Sequence, residues 1–415
     1  MRILFSIIIP VYNSEKYLLG SLKSVLSQSF PQKNFEIIII NDNSKDSSNI
    51  IIKRFKKKFK NIKVIQNKIN KKVSYCRNIG IQKAKGEYII FLDSDDELKK
   101  NSLKKIKNIV KRNHPEVVLC LEFKSNKFKI RNKKISKLKN VNSFLSYENK
   151  ARIYNPNCWN MIIKKNFLKK NKISFKKINI FEDQIFCTSV LFKVSKIKIL
   201  PGTFYNYIQR PLSLSRNTNY FALKSCMLAL VNFLQILKNN KLTKNKIQFI
   251  KNRIKFIEFI FKMYILICSL SQLKKLDQIY KNFKGYNTIK KKYLNNESFL
   301  ISNYIEFRKK IISRVLNYKY EKFSKIFIFG FGIEGRIIFH ILRNNNIKIN
   351  NFVDSNKNFK NYNYFGKKII NLTELKNELN KNSKTLILLN KALNRSQNIS
   401  KNFKNLYFKQ RIINL

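Results

Sequence analysis

The sequence predicts an α/β protein built on a parallel sheet, with a helical middle region and a second, smaller α/β unit near the C-terminal end. Three observations carry that expectation. In the first 125 residues, short apolar runs alternate with amphipathic stretches. Polar and acidic residues fall directly after those runs, at Asn13, Asp42 and Asp93 to Asp96. A strand-like run followed by a glycine-rich turn then recurs near residue 325.

Taken in order, strands are expected at Phe5 to Pro10, Phe35 to Asn41, Ile62 to Gln66, Tyr88 to Leu92 and Val117 to Phe123, with helices between them. Parallel sheets bind ligands beyond the carboxyl ends of their strands, so one crevice can gather the polar residues that follow these runs. Asn126 to Lys150 reads as a lysine-rich connector. Asn155 to Arg216 reads as mixed loops, a helix and short strands that would form the acceptor half. Over 217–320 the stripe Ile247, Ile250, Ile254, Ile257, Phe261 and Tyr264 has helical period, and such a stripe packs on a neighbouring helix more often than on a membrane. The expected domains are therefore 1–216, 217–320 and 321–415.

The last domain opens with Lys325 to Phe329, then Gly330-Phe331-Gly332-Ile333-Glu334-Gly335, a helix, and a strand ending Phe352-Val353-Asp354. This is half of a Rossmann-like unit. Gly330, Gly332 and Gly335 would permit the tight turn and close approach of backbone to a phosphate, and Asp354 sits where a ribose hydroxyl would be met. A docking, regulatory or degenerate role is expected for it rather than a second enzyme.

The chain has 415 residues, with 86 Lys and Arg against 23 Asp and Glu, a formal net charge of +63. A field of that sign concentrates phosphates, anionic lipid surfaces and nucleic acid. Lys, Asn and Ile dominate throughout, however, so a general residue bias also accounts for the charge. The six cysteines stand far apart without a C-x-x-C pair, and only His114 and His340 could join them at a metal, which argues against a structural zinc. They suit a reducing cytoplasm. Pro10 and the polar residues after it make the N-terminal apolar run a buried strand rather than a signal segment. Uncharged stretches among the middle helices, such as Met263 to Leu273, are well short of the roughly 20 residues that span a bilayer. The expectation is a cytoplasmic protein, peripheral on the inner face of the cytoplasmic membrane if it meets lipid at all.

Against so few carboxylates, Asp93-Ser94-Asp95-Asp96 closing the run Tyr88 to Leu92 stands out. Side chains two residues apart in an extended backbone share a side, so Asp93 and Asp95 can converge on one divalent cation or one sugar hydroxyl.

Three segments in order resemble the family 2 glycosyltransferases with a GT-A fold. They are Ser6-Ile7-Ile8-Ile9-Pro10-Val11-Tyr12-Asn13; Glu36 to Asp46; and Arg77-Asn78-Ile79-Gly80 leading through Gly86-Glu87-Tyr88 into Asp93-Ser94-Asp95-Asp96. The resemblance covers about residues 4 to 216. It implies a donor nucleotide held by Pro10, Tyr12, Asp42, Arg77, Asp93 and Ser94, with Asp93 on the ribose and Asp95 on Mn²⁺ or Mg²⁺. Tyr12 can stack on a base, and the Asp42 carboxylate can accept from a pyrimidine imide N–H, which favours uridine. Arg77 can pair with diphosphate oxygens or brace the acidic cluster. Each residue has an ordinary structural use as well: Asp42 can cap a helix, Arg77 can make an internal ion pair, and Asp96 with Glu97 can favour the next helix N-terminus. Asn43 stands where the family commonly has glycine, and asparagine tolerates positive φ.

Inverting transfer needs a base for the acceptor hydroxyl. Between Glu148 and Glu258 the only acidic residues are Glu182 and Asp183, just before a helical run. They match the family's Glu-Asp pair, whose Asp is the expected base. Tyr205 to Ser215 resembles the family's closing segment, in which Arg210 and Ser213, with Glu182, would touch diphosphate or acceptor. The function implied is an inverting, metal-dependent transfer from a UDP-sugar to a bacterial surface glycan, capsule or lipo-oligosaccharide, with a lipid-linked glycan as acceptor. Two rivals remain: a basic nucleic-acid-binding protein, disfavoured by the acidic cluster at the sheet edge, and a nucleotide-dependent oxidoreductase through the C-terminal domain.

Overall fold

The computed structural model describes residues 3–121, 123–125, 140–151, 157–208, 220–237, 242–266, 319–330, 333–354, 363–378, 385–389 and 412–414, with a few positions over 309–317. Its N-terminal part runs β1 (Phe5–Val11), α1 (Glu15–Leu26), β2 (Phe35–Asn41), α2 (Ser48–Lys58), β3 (Ile62–Gln66), α3 (Lys72–Lys83), β4 (Tyr88–Phe91), β5 (Glu97–Leu98), α4 (Ser102–Asn113), β6 (Val117–Leu119) and β7 (Phe123–Ser125). It continues with α5 (Val141–Ala151), β8 (Met161–Lys164), α6 (Lys165–Lys170), α7 (Glu182–Lys193), β9 (Ile197–Ile199), β10 (Tyr205–Tyr207), α8 (Tyr220–Leu237) and α9 (Lys244–Ile265).

Seven strands form one sheet in the order β3-β2-β1-β4-β8-β6-β9. The expected parallel sheet is correct for β3, β2, β1 and β4. It fails beyond β4, where β8 enters antiparallel to both β4 and β6. The run expected as one strand from Val117 to Phe123 is also divided. Its first part, β6, stays in the large sheet, whereas β7 joins β5 and β10 in a three-stranded sheet.

Burial on both faces explains the near-continuous apolar strands. Ile8, Ile38 and Ile40 pack into one core, and Ile7, Ile9, Ile37 and Ile39 into the core on the opposite face. Pro10 lies within β1 rather than ending it. The Leu92 N–H donates to the Ile8 carbonyl, so Ile8 faces β4 and Pro10, two residues on, faces the same side beyond the last β1–β4 pair. Its missing N–H costs no ladder bond there.

Glycines let the helices and turns close on the sheet. A Cβ at Gly80 would collide with the Ile8 side chain, so α3 can lie directly on β1. At Gly86 a Cβ would fall 2.6 Å from the backbone of Phe5 and Ser6. That turn is pinned by Glu36, whose Oε1 accepts from the Ser6 hydroxyl at 2.6 Å and the Lys85 N–H at 2.5 Å.

The chain divides into two compact units, residues 1–209 with 232–254, and residues 210–231 with 255–415. In the first, α9 is tied to α5 by Arg253 donating to Glu148 at 2.9 Å, both side chains buried. The stripe expected on α9 is buried at Ile250, Ile254, Ile257, Phe261 and Tyr264. Among the described residues no helix is long and apolar enough to cross a membrane.

The second unit contains β11 (Lys325–Phe329), α10 (Ile333–Asn344), β12 (Asn351–Val353), β13 (Asn363–Tyr364), β14 (Lys367–Ile370), α11 (Leu372–Glu378), β15 (Thr385–Leu389) and β16 (Ile412–Asn414). The strand order is β13-β14-β12-β11-β15-β16, parallel except for the β13–β14 hairpin. It is more than the half unit expected, because the short strands β15 and β16 add a second wing on the far side of β11. A Cβ at Gly335 would strike the Gly330 carbonyl, so α10 starts hard against the turn that leaves β11.

Candidate active site

Three strand ends and one helix start build the site at the carboxyl edge of the seven-stranded sheet. After β1, Tyr12 is 48% exposed and Asn13 turns the chain with φ +47°. The Asn13 side-chain oxygen accepts from the Lys45 N–H at 2.8 Å, and its N–H donates to the Ser44 hydroxyl at 3.1 Å, fastening the loop after β2. Asn43 in that loop has φ +61°, so it serves in the place of the family's glycine.

Asp42 is buried at the end of β2. Its Oδ1 accepts from Asn67 Nδ2 and from the Lys71 N–H, each at 2.8 Å, and its Oδ2 from the Lys72 N–H at 2.8 Å. It therefore caps α3 rather than the helix that follows it in sequence. Three N–H donors thus converge on this carboxylate, and the Cys76 thiol lies within hydrogen-bonding reach of it as well.

Arg77, on α3, is also buried. Its Nη2 donates to Asp93 Oδ1 at 2.8 Å and its Nη1 to Glu182 Oε1 at 2.7 Å, while its guanidinium carbon lies 5.3 Å from the Phe175 ring centre. Of the two uses open to this residue, the structure has the brace. One planar fork spans both acidic sites, which a lysine point charge cannot do. Helix α3 further fixes the approach to α7: Asn78 exchanges two 2.9 Å hydrogen bonds with the Phe175 backbone, and the Ser74 hydroxyl donates to the Ile178 carbonyl at 2.9 Å.

At the end of β4 the chain turns, closed by the Asp96 N–H donating to the Asp93 carbonyl at 3.0 Å. Ser94 is buried with its hydroxyl 2.7 Å from that of Ser14. Asp95 is partly exposed. Asp96 does not serve a helix start as its sequence position suggests, and Glu97 lies in β5. Instead the Asp96 carboxylate accepts from the Tyr205 hydroxyl at 2.8 Å and from the Ile208 N–H at 2.7 Å. Burial, then the charges of Asp95 and Asp93, push the Asp96 carboxyl up to about 9.

Glu182 and Asp183 open α7, after Phe181 in a left-handed conformation with φ +69°. Asp183 accepts from the Gln184 N–H at 2.8 Å and is partly exposed. Its surroundings, then the charge of Glu182, push it up to about 8 against the pull of Arg77. Burial raises Glu182 as well, with Arg77 again opposing.

Among the described residues no group of three or more His, Cys, Asp or Glu side chains is arranged to hold a metal ion. Mg²⁺ and Mn²⁺ at a substrate diphosphate use one or two carboxylates plus phosphate oxygens rather than a protein cage. Asp93 and Asp95 supply hard oxygen ligands of that kind. Arg210 and Ser213 lie outside the described residues, as does Gly332. In the second unit, Gly330 has φ +92° and Asp354 stands at the end of β12, its N–H donating to the Ile370 carbonyl at 3.0 Å.

Residues 6–174 match the family model for Glycosyl transferase family 2. Among its curated relatives is a poly(ribitol-phosphate) beta-glucosyltransferase of Bacillus spizizenii, 34% identical over 49% of this chain and 32% of that protein. Another is the poly(ribitol-phosphate) beta-N-acetylglucosaminyltransferase TarS of Staphylococcus aureus, 31% identical over 49% of this chain and 35% of that protein. The chain thus spans about a third of the length of these two relatives. A cholesterol galactosyltransferase of Borreliella burgdorferi is 27% identical over 79% of this chain and 97% of that protein. The crystal structure of S. aureus TarS 1-349 in complex with UDP-GlcNAc shares the fold, with a TM-score of 0.53 at 23% identity over 72% of this chain and 93% of that one.

Proposed function

We propose that the protein transfers a sugar, with inversion, from a UDP-sugar to a bacterial surface glycan. The observation that carries this reading is the single guanidinium of Arg77 holding Asp93, at the strand end, together with Glu182, beside Asp183. Two acidic groups with separate tasks, one at the donor and one at the acceptor, are what such a transfer requires. The UDP-GlcNAc named for TarS and the poly(ribitol-phosphate) named for two relatives support the donor and acceptor classes.

Tyr12 would stack on a uracil ring, and the Asp42 carboxylate would meet its imide N–H. Asp93 would meet the ribose, and Asp95 with Asp93 would hold Mn²⁺ or Mg²⁺. When bound, the ion offsets charge building on the leaving diphosphate. Asp183 takes the proton of the acceptor hydroxyl as that oxygen bonds to the anomeric carbon and the bond from this carbon to the diphosphate oxygen breaks. The net charge of +63 suits a phosphate-bearing acceptor or an anionic membrane surface on the cytoplasmic side. A lipid acceptor is the second reading, favoured by the match that covers 97% of a cholesterol galactosyltransferase.

The test is release of UDP from a panel of UDP-sugars with Mn²⁺, with and without poly(ribitol-phosphate) or sterol-containing vesicles. Turnover of one donor, stimulated by one acceptor and lost on Asp183→Asn, is expected. Equal turnover by Asp183→Asn and the parent would overturn the assignment of the base.

A further inference from the structure

We infer that Tyr205 is a positioning residue for the Asp93–Asp96 turn, its hydroxyl setting where the carboxylates of Asp93 and Asp95 stand; the inference rests on the donor-site reading above. Tyr205 is fully buried on β10, opposite Leu98 of β5 in an antiparallel pair. Its ring is stacked on Trp159 at 4.4 Å between centres and 10° between planes. With the ring fixed, the hydroxyl reaches both ends of the turn at once. It donates to Asp96 Oδ2 at 2.8 Å and accepts from the Asp93 N–H at 3.2 Å.

A hydroxyl has one hydrogen to donate and can accept as well, so one oxygen atom serves both residues. Asp93 and Asp95 lie between or at these anchors, and neither is fully buried. The β5–β10 pairing and the ring stacking do not use the hydroxyl. Phenylalanine at this position would therefore keep the fold's contacts and leave the turn with one anchor fewer at each end. A core aromatic with no further task would not need its oxygen inside an acidic turn 112 residues earlier in the chain.

The experiment is calorimetric titration of UDP into the full chain, with Mn²⁺ and with EDTA, for the parent, Tyr205→Phe and Tyr207→Phe, together with thermal unfolding of each. Tyr207 stacks on the same Trp159 and controls for loss of a hydroxyl nearby. Tyr205→Phe is expected to raise Kd for UDP in Mn²⁺ about tenfold while leaving Kd in EDTA and the unfolding temperature near the parent's, and Tyr207→Phe to match the parent. An unchanged Kd in Mn²⁺, or equal weakening in both media with a lowered unfolding temperature, overturns the inference. If Tyr205→Phe does not fold, Asp96→Asn, which weakens the same bond from the other side, must show the Mn²⁺-specific loss, and parent-like binding overturns the inference. A parent whose UDP affinity ignores Mn²⁺ removes the metal reading of the turn, and this inference with it.

Discussion

Arg77 shows how much of the site hangs on one side chain. It is buried between Asp93 and Glu182, whose side chains are 28% and 9% exposed, so its removal strands Glu182 far more than Asp93. Arg77→Met is expected to lower stability by about 3 to 5 kcal/mol, the usual cost of removing one partner of a buried pair, read from the midpoint of urea unfolding. An unchanged midpoint would mean that the brace carries no weight. Asp183 sets a second expectation. A carboxyl raised to about 8 keeps its proton below that pH, so the basic form, and with it kcat/KM, grows as pH rises through about 8. A profile already flat from pH 6 would contradict an elevated base. The acids themselves were legible in the sequence because carboxylates are so scarce there. Asn67 and Tyr205 were not, since they meet Asp42 and the Asp93–Asp96 turn across 25 and 112 residues and no local spacing encodes such pairings.

At the scale of elements, α3 carries the site: it is capped by Asp42, presents Arg77, and grips the chain entering α7 through Ser74 and Asn78. Gly80→Val should force α3 off β1 by pushing into Ile8, costing about 1 to 3 kcal/mol and reducing turnover together with stability. Stability at the parent's level in denaturant would show that α3 does not lie where the geometry puts it. The strands β1 to β4 could be located from their apolar runs and the polar residues after them. The antiparallel insertion of β8 could not, because an apolar run buried on both faces carries no mark of strand direction. The division of 117–123 was hidden for a related reason: β6 and β7 are both three-residue strands, in sheets that the sequence does not distinguish.

For the whole molecule, a charge of +63 would favour encounter with a polyanionic acceptor. Transfer to a polyanionic acceptor is expected to show KM rising steeply with salt and kcat nearly constant, because screening weakens encounter rather than the chemistry once the acceptor is bound. Salt-independent KM would assign the lysines to residue bias alone. The C-terminal unit was recognisable from its glycine turn, though its full strand order depends on short runs at 385–389 and 412–414 that are too brief to read as strands unaided.

We propose that the edge formed by Asp42, Asp93, Asp95 and Asp183 receives a nucleoside diphosphate with a divalent ion. A crystal structure with UDP and Mn²⁺ tests it most directly. The expected result is uracil against Tyr12 and Asp42, with the ion at the Asp93–Asp96 turn and the diphosphate reaching toward Asp183. A well-defined UDP bound only at the β11–α10 turn of the C-terminal unit, with the edge left to solvent, would contradict it.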